Sequence, residues 1–113
     1  LATHAPLAPR NLERLAPPAV LGLARTGSFM SNGSGDFVIA FSTQNRRTDT
    51  DTLRTDRLLP NRDASPLFLA AVESVEEAVY NALTAATTVR GREGHTTEAL
   101  PLNRLRSLLN ERR

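Results

Sequence analysis

With 113 residues, 40% hydrophobic content, 4% aromatics and no tryptophan, the chain is long enough for one small domain with a modest core. It contains no cysteine, which excludes disulfides, thiolate zinc sites and a cysteine nucleophile; the compartment stays open, with the cytoplasm favoured. Its 14 basic residues, every one an arginine, nearly cancel 12 acidic ones to leave +2, and no apolar run approaches the roughly 18 residues of a membrane span, so neither nucleic acid nor membrane is an expected partner.

Leu1–Leu7 reads as the end of a strand or loop. No initiator methionine and no signal-peptide pattern stand at Leu1, so the chain is expected to be the C-terminal segment of a longer protein. Residues 10–25 carry Leu12, Leu15, Ala16, Ala19, Val20 and Leu23 as a helical stripe. Pro17-Pro18 falls inside that stripe. A proline in a helix interior removes a donor and costs about 3 kcal/mol, so the helix is expected to break there or restart at Pro18. Asn11 is placed to cap the first piece, and Gly27 to end the second after Arg25.

Residues 36–43 alternate Phe37, Ile39 and Phe41 with Val38, Ala40 and Ser42. Both faces are apolar at the start, the pattern of a strand buried within a sheet. Residues 44–63, rich in Arg, Asp and Thr, are expected to form a solvated loop or edge hairpin. Within them, Thr48-Asp49-Thr50-Asp51-Thr52 lacks the glycine and ligand spacing of a calcium loop, so no metal or cofactor is expected there.

Residues 65–88 make the strongest helix, with Asp63 or Ser65 as its cap and Pro66 in its first turn. Its buried face is Phe68, Ala71, Val72, Val75, Val79, Ala82, Leu83 and Ala86. Residues 90–95 form a turn, and residues 101–109 a short helix that turns Leu102, Leu105, Leu108 and Leu109 inward. The order predicts a layered α/β unit. One strand makes no sheet, so partner strands are expected from residues outside this chain or from another chain.

The turn Asn32-Gly33-Ser34-Gly35-Asp36 leads straight into the strand. Such a sequence serves any loop before a strand. It also meets the needs of a self-cleaving precursor: a strained Gly-Ser turn lets the serine hydroxyl attack the preceding carbonyl. The released serine then carries its own α-amine as base. Downstream, Ser74-Val75-Glu76-Glu77 matches a capping box, with Ser74 starting a helix and Glu77 reaching back to it.

Three segments together carry a resemblance. Residues 21–28 with Asn32–Asp36 and Ile39–Thr43, the helix segment Ala71–Leu83, and Gly91–Pro101 resemble the DmpA-type aminopeptidases, which include L-aminopeptidase/D-esterases and β-peptidyl aminopeptidases. The resemblance covers nearly the whole chain in the right order. It implies the C-terminal part of an αββα four-layer sandwich of the DmpA and ornithine acetyltransferase kind, with cleavage between Gly33 and Ser34. Residues 1–33 would then end one subunit portion and 34–113 begin the next.

The resemblance further implies Ser34 as nucleophile, Ser74 orienting its hydroxyl, and Glu76 holding Ser74 and the charge of the new amine. Helical geometry complicates the last role: Glu76 sits about 200° around the axis from Ser74, whereas Glu77 sits about 60° away. Glu77 is therefore the alternative acid, and Glu76 can approach Ser74 if the helix breaks there. Asp36 is a supporting residue that bonds the turn or pairs with the new amine. His95, in a glycine-flanked turn, and His4 are expected to be structural or incidental.

The implied substrates are short peptides, amides or esters; the implied partners are the upstream portion of the protein and further copies of it. Two other readings stay open. One is a helical interaction module in which Ser34 is a loop residue. The other is an acyltransferase on the related fold, against which a serine at position 34 argues, since that group uses threonine.

Overall fold

The computed structural model describes residues 1–44 and 57–111. In chain order these form β1 (Ala2–Thr3), α1 (Pro9–Arg25), β2 (Phe41–Ser42), α2 (Ser65–Ala85), β3 (Val89–Arg90), β4 (Thr96–Thr97) and α3 (Leu102–Glu111). Short 3-10 turns lie at Asn61–Asp63 and Arg92–Gly94. The Thr48–Thr52 alternation lies outside the described residues. Packing divides the chain into two compact units, Leu1–Glu76 and Glu77–Arg113, so the Gly33–Ser34 bond is internal to the first.

In the first unit β1 and β2 pair in parallel, Ala2 opposite Phe41 and Thr3 opposite Ser42. Phe41 N–H donates to Leu1 O at 3.0 Å and Thr43 N–H to Thr3 O at 2.9 Å. Parallel neighbours need a crossover, and α1 supplies it. The Ser42 hydroxyl donates to Ala5 O at 2.7 Å, fixing the exit of β2 against the exit of β1. Leu7, Leu15 and Ala71 form the buried centre, flanked by Leu12, Leu67 and Phe68.

Four expectations for this unit are corrected. First, α1 runs unbroken through Pro17-Pro18. Two prolines deprive the carbonyls of Glu13 and Arg14 of helical donors, but both residues are exposed, where water can serve, while Leu15, Ala19 and Gly22 on the other side are buried. Second, Asn11 is no cap: Pro9 takes the first helical position, where its missing N–H costs nothing, and the cap is Ala8. Asn11 instead accepts a hydrogen bond from Arg14 Nη1 at 3.2 Å. Gly27 does end the helix as expected, with φ +99°.

Third, α2 is capped by neither Asp63 nor Ser65. The carbonyl of Ala64, between them, accepts from the N–H groups of Leu67 (3.0 Å) and Phe68 (3.3 Å), which is the capping position. Fourth, the strand expected over residues 36–43 is shorter among the described residues, which hold none of the further partner strands expected from outside the chain. Only Phe41–Ser42 is paired, and Phe37 is 95% and Ile39 78% exposed. A strand is buried on both faces only when it has neighbours on both edges and layers on both sides. Among the described residues β1 alone supplies an edge.

In the second unit, residues 90–95 are a turn as expected, but they close a hairpin that alternation did not reveal. β3 and β4 pair antiparallel, Val89 opposite Thr97 and Arg90 opposite Thr96. Glu93 (φ +59°) and Gly94 (φ +81°) bend the chain. The helix preceding it ends at Ala85 rather than 88. Ala82, Leu83 and Ala86, expected on its buried face, are exposed, as are Leu108 and Leu109 of α3. None of the described residues in this unit is buried. A piece of this size has too little volume for its surface to enclose a core.

Candidate active site

Ser34 sits at the end of a tight turn. Its N–H donates to Ser31 O at 2.9 Å, and Gly33, third in the turn, has φ +94°. A positive φ there with Asn32 on the negative side is a type II turn, which demands glycine. Met30, just ahead, also takes a left-handed conformation at φ +52°, a strain on the order of 1 kcal/mol or more for a residue with a side chain. The segment feeding the Gly33–Ser34 bond thus carries one strained residue, Met30, while Gly33 takes its positive φ without strain.

The Ser34 hydroxyl donates to Asp36 Oδ2 at 3.0 Å. The two-residue spacing, opened by Gly35, lets the carboxylate fold back on the serine. Asp36 also lines a cavity of about 530 Å³, walled by Ala19, Val20 and Leu23 of α1, by Phe37–Ile39, and by Val75 of α2. One carboxylate in an otherwise apolar lining is the kind of polar group that orients a ligand.

Ser74 lies in the middle of α2, nine residues past its start, and donates to Ala71 O at 3.2 Å. It is therefore no helix cap, and the capping-box reading of Ser74 and Glu77 is corrected: a residue with a full helical turn before it has no free N–H groups to cap. The helix is also unbroken at Ser74, so the break that would bring Glu76 toward it is absent. Ser74 borders a second cavity, of about 230 Å³, with Thr3, Leu15, Leu67 and Ala70. Leu1 lines both cavities.

Glu76 ends the first unit with its side chain 27% exposed and its Oε2 3.2 Å from Arg25 Nη1. Ser34 and Asp36 are brought together; no hydrogen bond links Ser34 to Ser74 among the described residues. Glu77 is exposed on α2. His4 Nδ1 lies 3.0 Å from Thr43 Oγ1, beside the β1–β2 pair, and His95 is exposed in the β3–β4 turn. Among the described residues, no group of three or more His, Cys, Asp or Glu is placed to hold a metal ion.

Two residues of α1 that sequence reading passed over shape this site. Gly22 is buried against α2: a Cβ there would stand 2.4 Å from Val72 O, 2.9 Å from Val75 Cβ and 3.2 Å from Glu76 N. Arg25, three residues on, reaches Glu76. A glycine inside a helical stripe was the available signal, since it marks a close backbone approach.

The comparisons with known proteins identify the family and the fold. Residues 1–97 match the model of peptidase family S58. The chain is 40% identical over its whole length to a beta-peptidyl aminopeptidase BapA of Sphingosinicella microcystinivorans, and 34% identical over 99% of its length to that of Sphingosinicella xenopeptidilytica. It spans 29% of each of these relatives. Among solved structures, the PH0078 protein of Pyrococcus horikoshii superposes with a TM-score of 0.88 at 44% identity, covering 96% of this chain and 31% of that one. The L-aminopeptidase D-Ala-esterase/amidase of Ochrobactrum anthropi, described as a variant of the Ntn-hydrolase fold, superposes at 0.85 and 37% over the same shares. A β-aminopeptidase of a Burkholderia species gives 0.73 and 35%, over 96% of this chain and 33% of that one. With one α/β architecture and one sequence pattern shared from Leu1 through the β3–β4 hairpin, the chain belongs to peptidase family S58, the DmpA-type aminopeptidases, as part of their Ntn-hydrolase fold.

Proposed function

We propose that the protein carrying this chain is a serine aminopeptidase of the N-terminal-nucleophile type that matures by cutting itself between Gly33 and Ser34. The observation that supports this most is the turn: a left-handed Gly33 with a Ser34 hydroxyl donating to Asp36 at 3.0 Å, in a chain of family S58. In the maturation step the Ser34 oxygen adds to the Gly33 carbonyl carbon. The C–N bond then breaks, leaving an ester on Ser34 whose α-amine takes the hydroxyl proton. Water hydrolyses the ester and frees Ser34 as a new N-terminus.

In turnover the same oxygen attacks the carbonyl of a short peptide, amide or ester, and the α-amine accepts the proton. The leaving amine or alcohol departs with that proton, and water releases the acyl group. Ser74 orients the nucleophile and Glu76 balances the positive charge of the α-amine. The experiment is intact-mass analysis with N-terminal sequencing of the full-length protein. Two chains, the second starting at Ser34, are expected; an uncut protein that is demonstrably folded would favour the interaction-module reading instead.

Two expected results separate the roles. Ser74→Ala should lower kcat about 100-fold, the scale of losing one orienting contact at a nucleophile. Because Ser74 is exposed and, among the described residues, its hydroxyl bonds back to Ala71 O of its own helix, the thermal midpoint should stay within the small range of surface substitutions. Unchanged turnover on a dipeptide amide would remove Ser74 from the mechanism. The 113 residues expressed alone should show no amidase activity, since they span only 29% of the related aminopeptidases and leave Phe37 and Ile39 in solvent, and the resemblance expects the oxyanion donors in the upstream portion. Losing one such donor costs roughly 10²–10³ in rate. Turnover by this segment alone would refute that dependence.

A further inference from the structure

Arg25 is the last residue of α1, at the end where the helix dipole favours a cation. Its guanidinium Nη1 lies 3.2 Å from Glu76 Oε2. That reach is set by the backbone. Gly22 stands one turn earlier on the same face of α1, and the space beside it holds Val72 O and Glu76 N so closely that no side chain fits. The two helices are therefore locked at the level of Glu76, and Arg25 meets the carboxylate from a fixed base. Beyond Arg25, Thr26 closes the helix, its hydroxyl donating to Leu23 O at 2.7 Å, and the chain enters the segment that ends at Ser34.

From this juxtaposition we propose that Arg25 is a positioning residue for Glu76, holding its carboxylate in the orientation that receives the new α-amine of Ser34. The proposal rests on the reading that Glu76 serves that amine. The ion pair is half in solvent, with side-chain exposures of 48% and 27%, so it adds little to stability, as exposed pairs generally do. Its contribution is geometric. Arg25 touches neither substrate nor reacting atoms and acts only through Glu76.

The test is a double-mutant cycle in the full-length protein, with rates on a dipeptide amide counted per processed chain and folding followed by the thermal midpoint. Arg25→Ala should lower kcat about ten- to a hundredfold, the cost of a misplaced group, with KM little changed. Arg25→Lys should recover part of the loss, which a packing defect at the helix end would not predict. In a Glu76→Gln background, Arg25→Ala should add almost nothing, since both changes remove one interaction. Full activity in Glu76→Gln would overturn the Glu76 role and this proposal with it. Loss in Glu76→Gln with normal activity in Arg25→Ala, or additive losses, would overturn the Arg25 proposal alone. If Arg25→Ala lowers the midpoint sharply, Arg25→Gln, which keeps the stem and a donor but loses the charge, carries the same comparison.

Discussion

Ser34→Ala is expected to leave the bond between residues 33 and 34 intact and to reduce turnover by about 10⁴-fold or more, the scale seen when an enzyme's nucleophile is removed. Both effects come from one oxygen. In the proposed precursor, the Ser34 hydroxyl belongs to the residue that follows the Gly33 carbonyl, in a turn held by Ser34 N–H donating to Ser31 O and by the left-handed Gly33. In the mature enzyme, the same oxygen would lie beside a free α-amine that exists only after cleavage. On the proposed mechanism, alanine would remove the nucleophile and, by preventing maturation, the base as well. The fold should survive, because Ser34 is exposed and, among the described residues, its side chain bonds the nearby Asp36 alone. A single band of full mass by denaturing electrophoresis, with an unchanged thermal midpoint, is the expected pair of results. A new N-terminus at residue 34 in that variant would show that some other group cuts the chain.

Gly22→Ala is expected to destabilise the first unit, although the same change in an exposed helix interior gains about 1 kcal/mol. The added methyl carbon would lie 2.4 Å from the carbonyl oxygen of Val72 and 2.9 Å from Val75 Cβ. A backbone carbonyl inside α2 has no room to yield, so α1 must back away from α2. Overpacking of this kind costs about 1–3 kcal/mol, and against a rigid backbone the upper end applies, leaving a net loss of about 2 kcal/mol. Thermal or urea unfolding of the full-length protein measures it. A midpoint equal to the parent's would mean that the α1–α2 approach is wrong. Activity should fall further than stability, since the shift also carries Arg25 away from Glu76.

Some of this was legible residue by residue. The face Phe68, Ala71, Val72 and Val75 followed from helical spacing, and Ala71 and Val72 are buried. Gly27 ended α1 because a left-handed residue after a helix is a local property. The DmpA-type resemblance was readable in three short segments and is borne out by the family match over residues 1–97. Local rules failed where packing outweighed them. Pro17-Pro18 lies in a continuous helix because the face opposite its missing hydrogen bonds is held by Leu15, Ala19 and Gly22. The β3–β4 hairpin, two residues on each strand, was too short to show alternation.

By itself the sequence determined the family, the turn ahead of Ser34 and the presence of three helical segments, though not the continuity of α1 through Pro17-Pro18. Only the tertiary structure decided what Glu76 meets, since Arg25 lies 51 residues away in the chain. It likewise decided that Ser74 is a mid-helix residue rather than a cap, and that Phe37 and Ile39 face solvent among the described residues. A hydrogen-bonding pattern or an exposed strand face is a property of what packs beside it, and periodicity along one segment carries no information about that partner.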